Sequence, residues 1–394
     1  MEQKKNLLIF ILAMGTFSIL NTEVGILGIL PNIAARFAVD IPTAGLLVSG
    51  FALAIFFAGT TMPLLLSKME RKRLMLFVLG FFIVCNAVSL VAPTFEVALA
   101  ARIAPAFVHP VYCSLAYVIA AELVGPERAP QAAAKIMIGV SSGIVIGIPV
   151  TAFLANTFSY EAAMGFFILM NVLAFLGTLR FFPAMPVTQA ASIGSQLGVL
   201  KKAKTWVSLF VVSSVGAALF TVYAYISSFL LDVTKLTSSE LSIALFVFGI
   251  SSIAGNYVGG RLLTADAKKT ALVYPFVFSA VYLAVSLLGA SAPAMFLLLV
   301  GWGMMNGIGN NIQQHWIVSA IPEAVGFANG LFISFGNLGT TLGTTVGGLL
   351  LGSFGFAAIF FGGIGFLALT FAAVVLRVVR YERRDAAPAE AVEA

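Results

Sequence analysis

The chain of 394 residues is 60% hydrophobic and only 10% charged, and its formal net charge at pH 7 is +6. Soluble domains carry about 25% charged residues, and a water-soluble fold of this size has no way to bury so much apolar surface. The composition therefore excludes a soluble globular protein and indicates a protein embedded in a membrane.

Twelve apolar stretches fill the chain, and each is long enough to cross a bilayer as a helix of about 20 residues. Transmembrane β-strands would alternate apolar and polar side chains over about ten residues, and these stretches do not alternate. The predicted fold class is therefore an all-α polytopic membrane protein with twelve transmembrane helices. The predicted spans 1 to 12 are residues 6–30, 43–65, 74–92, 96–121, 133–155, 162–182, 204–231, 240–260, 270–290, 294–320, 326–350 and 354–377.

The basic residues predict the orientation of the spans. With the N-terminus in the cytoplasm, nineteen of the 22 Lys and Arg residues fall in inside segments, and only Arg36 and Lys235 fall outside. Because Lys and Arg accumulate on the cytoplasmic side of membrane proteins, both termini are predicted to be cytoplasmic. The same distribution explains the positive net charge by contact with anionic lipid, so no nucleic-acid partner is expected.

The spans divide six and six around residues 183–203, which are predicted to form a cytoplasmic linker. The predicted domains are an N-terminal six-helix bundle at 1–182, a C-terminal six-helix bundle at 204–377 and a disordered cytoplasmic tail at 378–394. The halves match at an offset of 196 residues, which pairs Gly143 with Gly339, Gly147 with Gly343 and Phe158 with Phe354. Two parallel six-helix repeats around a site near the membrane midplane are one known transporter design, and such a design is complete as a monomer.

Four motifs share one family resemblance. They are Thr22–Glu23 with Gly28-Ile-Leu-Pro31 in span 1, the basic loop with Lys68, Glu70, Arg71 and Arg73 between spans 2 and 3, Arg102 in span 4, and Gly139-x3-Gly143-x3-Gly147-Ile-Pro149 in span 5. Together they resemble the major facilitator superfamily, and within it the twelve-span drug:proton antiporter branch that includes bacterial sugar, nucleoside and arabinose-type efflux permeases. The resemblance covers residues 6–377. It implies a transporter of the bacterial cytoplasmic membrane with a cytoplasmic gating loop and an antiporter-like motif in span 5.

Glu23 is the only one of sixteen acidic residues that lies well inside a span. An ionisable group in hydrocarbon is costly and suggests a function, and burial favours the neutral form of a carboxyl group. Glu23 is therefore predicted to be the proton-coupling site. The alternative interpretation is a structural carboxylate that holds one helix to another.

Arg102 is the only Lys or Arg deep inside a span. Glu23 is about seven residues from the outer end of span 1 and Arg102 about six from the outer end of span 4, so the two lie at nearly equal depth. One hypothesis pairs Arg102 with Glu23 in proton coupling. The other has Arg102 bind backbone carbonyls near the bend of span 5, as membrane arginines often do.

The two histidines lie in spans 4 and 10. His109 precedes Pro110 near mid-membrane, and His315 falls in the inner half of its span. Histidine titrates near neutrality, so each is a candidate for a proton relay or a substrate contact, with hydrogen-bonded packing as the alternative. No spacing of His, carboxylate or thiol groups suits a metal ion, and we expect no metal and no cofactor.

Span 10 has the most distinctive polar pattern of the chain. Helical spacing places four of its residues on one face, and these are Trp302, Asn306, Asn310 and Gln313, with Gln314 and His315 close behind. A face lined by amides suits a polar solute, whereas the alternative is hydrogen bonding between helices. Weaker candidates for the same cavity are Asn21, Tyr223, Thr221 and Tyr225.

The sequence thus predicts a proton-coupled secondary transporter that exports a small organic solute, either a polar metabolite or a drug, by alternating access. One alternative keeps the fold and imports a nutrient as a proton symporter or facilitator. Another is a polytopic membrane enzyme or receptor, but no span carries two acids and no nucleotide-binding Gly-Lys-Ser/Thr motif is present. The prediction is therefore that the protein is not an enzyme.

Overall fold

The computed structural model describes residues 2–66, 69–125, 128–185, 198–322 and 325–382, and all regular structure in them is helical. The α-helices are Glu2–Gly25, Leu30–Phe37, Ile41–Ala44, Leu46–Leu65, Arg71–Leu90, Phe95–Ala106, His109–Val124, Ala129–Ser142, Ile148–Thr157, Tyr160–Phe181, Ala203–Tyr223, Ile226–Asp232, Ser238–Leu288, Ala292–Ala320, Val325–Phe354 and Phe356–Arg377. Shorter 3-10 or π-helical turns lie at Ile26–Gly28, Gly143–Gly147, Gly198–Lys201 and Val378–Glu382.

The described residues contain twelve spans. Ten helical segments are long and apolar enough to cross a membrane. One of them, Ser238–Leu288, is interrupted by non-helical backbone at Asp266 (φ −160°, ψ 97°) and so supplies both span 8 and span 9. The Gly- and Thr-rich helix Val325–Phe354 supplies span 11. The predicted fold class is confirmed.

Contacts between residues group the chain into two compact units. The first unit, called unit 1 below, is residues 1–191 with 224–249, and the second, unit 2, is residues 192–223 with 250–394. The end of span 7 and the first half of span 8 thus group with spans 1 to 6. The predicted division into six-helix bundles on either side of 183–203 stays a prediction, and residues 186–197 of that loop lie outside the described part of the chain.

Inside unit 1, span 1 contacts spans 4, 5 and 6 along its length. The glycines of span 5 make this approach possible, because a Cβ atom at Gly139 would overlap the carbonyl oxygen of Ala13 and one at Gly143 would press on Leu20. Small residues allow helix backbones to come close in membranes. The glycine spacing of span 5 is therefore a packing face against span 1.

Inside unit 2, span 11 packs on span 7 through the glycines that match those of span 5 in the sequence repeat. A Cβ at Gly339 would overlap the carbonyl oxygen of Ser213, and one at Gly343 would overlap that of Ala217. In unit 1, the matching contact is between Gly147 and Asn21. Adding 196 to these two residue numbers gives Gly343 and Ala217, which are in contact in unit 2. The repeat seen in the sequence is thus a repeat of helix contacts.

Span 4 consists of two helices with a break at Phe107 and Val108. Pro105 lies in the last turn of the first helix, and Pro110 lies in the first turn of the second. Proline has no N–H to donate and is tolerated at a helix start but not in its interior. The break therefore follows from the two prolines, and it makes His109 the first residue of the second helix.

The last span continues beyond its predicted end at residue 377. Residues Val378–Glu382, predicted as the start of a disordered tail, form a π-helical turn. The rest of that tail, 383–394, lies outside the described residues.

Candidate functional site

Glu23 and His109 form an ion-pair contact in the interior of unit 1. The Oε2 atom of Glu23 lies 2.9 Å from the Nε2 atom of His109, and the two side chains are 17% and 6% exposed. A contact of this length between a carboxyl group and an imidazole contains a shared proton, whichever group carries it. The structure thus brings a titratable pair together at the one acidic position that the sequence singled out inside a span.

The surroundings of His109 are mostly apolar. Its ring packs edge-on against Phe51 with 6.1 Å between ring centroids, and Phe82 lies 6.5 Å away. The Sγ atom of Cys113, one turn further along the helix, is 4.0 Å from Nε2. Nδ1 is buried with no hydrogen-bond partner among the described residues. The polar contacts of the ring therefore converge on Nε2, which faces Glu23.

Arg102 holds a permanent positive charge beside this pair. Its Nη2 atom donates to the backbone carbonyl of Glu23 at 2.6 Å, and its Nε atom donates to the carbonyl of Leu47 at 3.4 Å. The guanidinium also lies over the ring of Phe51 at 4.9 Å from the centroid. Arg102 therefore binds backbone carbonyls, but those of Glu23 in span 1 and Leu47 in span 2 and not carbonyls near the bend of span 5. Its part in proton coupling stays a prediction.

A buried hydrogen-bond cluster, which was not predicted from the sequence, supports the helix that carries Glu23. Nδ2 of Asn171 donates to Oγ1 of Thr22 at 3.1 Å, and Nδ2 of Asn86 donates to the same oxygen at 3.3 Å. The hydroxyl of Ser18 donates to Oδ1 of Asn171 at 3.3 Å. Asparagine in the middle of apolar spans 3 and 6 was the available signal, because an amide in a membrane interior requires a partner.

Asn21 lies beside Thr22 on the same turn of span 1 and contacts span 5. It is fully buried, and its Oδ1 atom accepts a hydrogen bond from Thr151 at 3.4 Å. A Cβ atom at Gly147 would overlap this Oδ1 atom. Pro149, also buried, follows in the first turn of the next helix. The antiporter-like motif therefore packs directly on the residues that precede Glu23, whereas Asn21 is enclosed in packing contacts.

The basic loop between spans 2 and 3 is anchored to two neighbouring segments. Arg71 forms an ion pair with Glu122 at the end of span 4. The carboxylate of Glu70 accepts the N–H groups of Lys72 at 3.0 Å, Arg73 at 2.9 Å and Met185 at 2.6 Å. Burial acts to raise the pKa of Glu70, but these donors outweigh it and the pKa is lowered from its ordinary value of 4.5.

Glu70 is consequently ionised at neutral pH and holds the start of span 3 to the end of span 6. Arg73 lies 3.9 Å from the Glu70 carboxylate in an exposed ion pair. Lys68 lies outside the described residues. Glu122 was not singled out by the sequence analysis, because an acid at the end of a span is ordinary unless its partner is known.

In unit 2, the predicted polar face of span 10 divides into packing and exposed parts. Trp302 is fully buried, and its ring lies edge-on to Tyr223 at 6.3 Å and to Tyr282 at 5.7 Å. Asn306 donates to the hydroxyl of Ser252 at 3.0 Å. Asn311 donates to the carbonyl of Asn256 at 2.6 Å. These two amides therefore join span 10 to span 8.

The remaining amides of span 10 have different surroundings. Gln313 is buried and donates to the carbonyl of Gly309 in its own helix at 3.3 Å, and the exposed Gln314 donates to Asn329 at 3.3 Å. Asn310 is half-buried, and its side chain makes no hydrogen bond to another described residue. His315 is exposed and lines a cavity at the end of the span.

Two of the four weaker candidates, Thr221 and Tyr225, are also buried. The hydroxyl of Thr221 donates to the carbonyl of Ala217 in its own helix at 2.7 Å. Tyr225 belongs to unit 1, where a Cβ atom at Gly45 would press on its hydroxyl. Neither therefore presents its polar atom to an open cavity within its own unit.

Twelve apolar helices in two repeats, with an ionisable cluster in the membrane interior, define a polytopic membrane transporter. The chain matches the model of the Major Facilitator Superfamily over residues 7–333 and 209–394. It is also 30% identical over 353 residues to the uncharacterized MFS-type transporter YtbD of Bacillus subtilis, with 87% of this chain and 88% of that protein covered. The chain belongs to the Major Facilitator Superfamily, a family of transporters and not of enzymes.

Other relatives carry more specific names. The chain is 27% identical over 371 residues to a probable sugar efflux transporter of Helicobacter acinonychis, with 92% and 93% of the two chains covered. It is 27% identical over 351 residues to the inner membrane transport protein YdhP of Escherichia coli K12, with 88% and 90% covered.

Solved structures share the fold at low identity. The structure of a bacterial homolog of the human lysosomal transporter Spinster superposes with a TM-score of 0.81 at 14% identity, covering 96% of this chain and 98% of that one. The nucleoside transporter NupG superposes with a TM-score of 0.77 at 15% identity, covering 95% and 99%. Both likenesses establish the fold alone.

Proposed function

We propose that this protein is a proton-coupled exporter of a small polar solute, with Glu23 and His109 as its proton-binding pair. The observation that carries the proposal is the 2.9 Å contact between Glu23 and His109 beside Arg102. Titratable groups are rare in membrane interiors and mark proton and substrate pathways. A paired carboxyl group and imidazole can bind and release a proton while both side chains stay in the membrane interior.

The proton step changes the charge of a buried site. Arg102 stays positive because guanidinium is not deprotonated in proteins. With Glu23 ionised and His109 neutral, the three side chains have a net charge of zero, and one added proton makes the net charge +1. A buried charge is costly in low dielectric, so protonation alters the relative free energy of any two conformations that solvate the site differently. Coupling requires this difference.

The position of the pair connects it to the moving parts of the transporter. Asn21, which lies two residues before Glu23 on the same helix, packs on Gly147. Arg102 donates a hydrogen bond to the backbone carbonyl of Glu23. A displacement of span 1 along the glycine face of span 5 would therefore change the surroundings of the carboxylate. We propose that the contact between Asn21 and Gly147 links protonation to alternating access. The ion pair between Arg71 of the predicted gating loop and Glu122 at the end of span 4 is proposed to serve as the gate.

The substrate proposed is a sugar-like or other polar metabolite. The name of the Helicobacter acinonychis relative, a probable sugar efflux transporter, supports this class. Asn310 supports it as well, since it is a half-buried amide with no hydrogen bond to another described residue and amides pair with hydroxyl groups. Four other candidates for substrate binding in span 10 already make contacts, and these contacts would have to rearrange before substrate could bind. They are Trp302, Asn306, Gln313 and Gln314.

The proposal includes the orientation and setting of the chain. Both termini lie in the cytoplasm of a bacterial cell, the protein crosses the cytoplasmic membrane, and one copy is sufficient for transport. The excess of Lys and Arg in the predicted inside segments supports this orientation. The Escherichia coli relative named as an inner membrane transport protein supports the location.

The test is transport by the purified protein in proteoliposomes. The panel of labelled solutes consists of sugars, nucleosides, amino acids and cationic dyes. We expect counterflow for a sugar of this panel. An imposed proton gradient should drive accumulation of that solute on the side with the higher proton concentration, since antiport moves solute against the proton flow. Accumulation on the side with the lower proton concentration would instead identify a symporter, and counterflow that ignores the gradient would identify a facilitator.

A further inference from the structure

Spans 1 and 7 are both broken near their predicted outer ends, at matching positions of the repeat. In span 1, a 3-10 turn at Ile26–Gly28 separates the long helix from a short outer helix. In span 7, the helices Ala203–Tyr223 and Ile226–Asp232 are separated in the same way. The residue before each outer helix has similar non-helical backbone angles, with φ −129° and ψ 15° at Ile29 and φ −110° and ψ 13° at Tyr225. Tyr225 lies 196 residues after Ile29, so the break belongs to the repeat.

The break in span 1 leaves a backbone carbonyl without a partner in its own helix. In a continuous helix, the carbonyl of Leu27 would accept the N–H of residue 31, but Pro31 has no N–H to donate. A carbonyl at membrane depth requires a partner. The hydroxyl of Ser227, in the outer helix of span 7, donates to this carbonyl at 2.8 Å. Leu27 and Ser227 are each only 1% exposed, so a residue of span 7 completes the break of span 1 out of contact with water.

The break in span 7 coincides with a change in the grouping of the chain. Residues 192–223 group with unit 2, whereas residues 224–249 group with unit 1. Inside unit 1, the outer helix of span 7 contacts both the 3-10 turn and the outer helix of span 1. Tyr225 also packs against Gly45 at the start of span 2. A helix break where the chain leaves one compact unit for another is suited to a hinge, because the residues at the end of an element can absorb changes in φ and ψ.

The break in span 1 adjoins the proposed proton site. Leu27 follows Glu23 by four residues, or about one helical turn. The carbonyl of Glu23 lies in the last turn before the break and accepts the 2.6 Å hydrogen bond from Arg102. Arg102 and His109, the charged and titratable groups that contact Glu23 in the described part of the chain, both belong to span 4. A movement at the break would therefore shift Glu23 relative to both of its partners.

We propose that Ser227 is a positioning residue for transport. Its hydrogen bond to Leu27 holds the breaks of spans 1 and 7 together while the outer side is closed, and the bond is released when the outer side opens to admit protons to Glu23. This inference rests on the proposed function, because it assigns the two breaks to alternating access. The energy of a hydrogen bond between membrane helices corresponds to a change of about three- to tenfold in the ratio of open to closed protein. Loss of the hydroxyl should therefore favour opening to the outside.

The test is the rate at which a buried cysteine is labelled from outside. Ala34→Cys introduces the reporter at a buried position of the outer helix of span 1. A membrane-impermeant thiol reagent is applied to intact cells, and the protein without the reporter gives the background from Cys85 and Cys113, which are both buried. We expect Ser227→Ala to raise the labelling rate about three- to tenfold. Ser227→Thr, which keeps a hydroxyl group, should label as the wild type does.

The neighbouring serine provides a matched control. Ser228 is also buried, and its hydroxyl makes no hydrogen bond to any described residue. Ser228→Ala should therefore leave the labelling rate unchanged. Equal rates in Ser227→Ala and Ser228→Ala, or a raised rate in Ser227→Thr, would overturn the role of Ser227.

The pH dependence of transport gives a second readout, which a purely structural role for Ser227 would not move. The apparent affinity for a ligand rises with the fraction of protein in the state that binds it. In Ser227→Ala, the outside pH at half-maximal transport should therefore rise by about 0.5–1 unit, and Ser228→Ala should leave it unchanged. Faster labelling with an unmoved pH midpoint would overturn the link between the hinge and Glu23. Because labelling requires no transport, it decides on the hinge even where the Glu23→Gln variant argues against proton coupling.

Discussion

The proposed proton coupling rests on three side chains with different roles. In the proposal, Arg102 provides a fixed charge, and Glu23 and His109 share the proton. The sequence identified Glu23 and Arg102 because each is the only residue of its charge deep inside a span. It gave His109 and His315 equal standing, because the contact between His109 and Glu23 depends on how spans 1 and 4 pack, and the sequence does not display that packing.

Substitution of His109 tests its part in the shared proton. In His109→Gln, we expect proton-driven transport to fall and the pH at which transport is half-maximal to move by about one unit, because two coupled groups titrate together. The chain contains only one other histidine, so His315→Gln is the matched control. The measurement is solute flux in proteoliposomes over a range of pH, and identical profiles for both variants and the wild type would remove His109 from the mechanism.

The neighbouring asparagines of span 10 give a second test at this scale. Asn310→Ala should change the order of preference among substrates without loss of stability, because its amide bonds no described residue. Asn311→Ala should lower the free energy of unfolding by roughly 0.6–2 kcal/mol, since it removes a hydrogen bond between helices. Counterflow with the substrate panel and unfolding in detergent measure the two effects, and a similar instability in both variants would indicate that Asn310 is also a packing residue.

At the scale of helices, the same contact is built twice. Gly147 meets Asn21 in unit 1, and Gly343 meets Ala217 in unit 2, with both members shifted by 196 residues. Glycines at four-residue spacing in spans 5 and 11 indicate close helix packing but do not name the partner helices. Partners were not predictable, because small residues at four-residue spacing permit close approach without specifying the facing helix.

Alanine substitutions on span 11 test this packing. Gly343→Ala should lower the free energy of unfolding by about 1–3 kcal/mol, because its methyl group would overlap the backbone of Ala217 in span 7. Gly336→Ala, on the same helix, meets nothing within 4 Å and should leave stability unchanged or slightly raise it. Thermal unfolding in detergent compares the two, and equal midpoints would contradict the close contact of spans 7 and 11.

Helix breaks were the least predictable elements. The break of span 4 follows from Pro105 and Pro110, and was visible in the sequence as a pair of prolines. The π-helical turn Gly143–Gly147 was not. Such a turn depends on how neighbouring helices accommodate the local backbone, whereas apolar length alone located the spans to within a few residues, including the interruption at Asp266 between spans 8 and 9.

At the scale of the whole molecule, the scaffold is repeated but the proposed proton-binding residues are not. The positions 196 residues after Glu23, Arg102 and His109 are Leu219, Leu298 and Met305. The packing of helices is therefore repeated in both halves, whereas these three ionisable side chains have apolar residues at the matching positions of the second half. Composition and the offset in the sequence were sufficient for the fold, while the site required side-chain contacts.

The predicted orientation is testable with cysteines, because the two natural ones, Cys85 and Cys113, are buried. Ala290→Cys and Ala265→Cys are matched exposed positions, predicted to face outside and inside respectively. A membrane-impermeant thiol reagent applied to intact cells should label the first and reach the second only after permeabilisation. The reverse pattern would invert the topology and with it the proposed direction of transport.

The most direct test of proton coupling uses inside-out membrane vesicles with an acid interior. The measurement is the solute-triggered release of protons from the lumen, for the wild type, Glu23→Gln and the control Glu161→Gln, an exposed acid paired with Arg36. We predict release in the wild type and in the control and none in Glu23→Gln, because the amide cannot bind and release a proton in this range of pH. Undiminished release in Glu23→Gln would contradict the account.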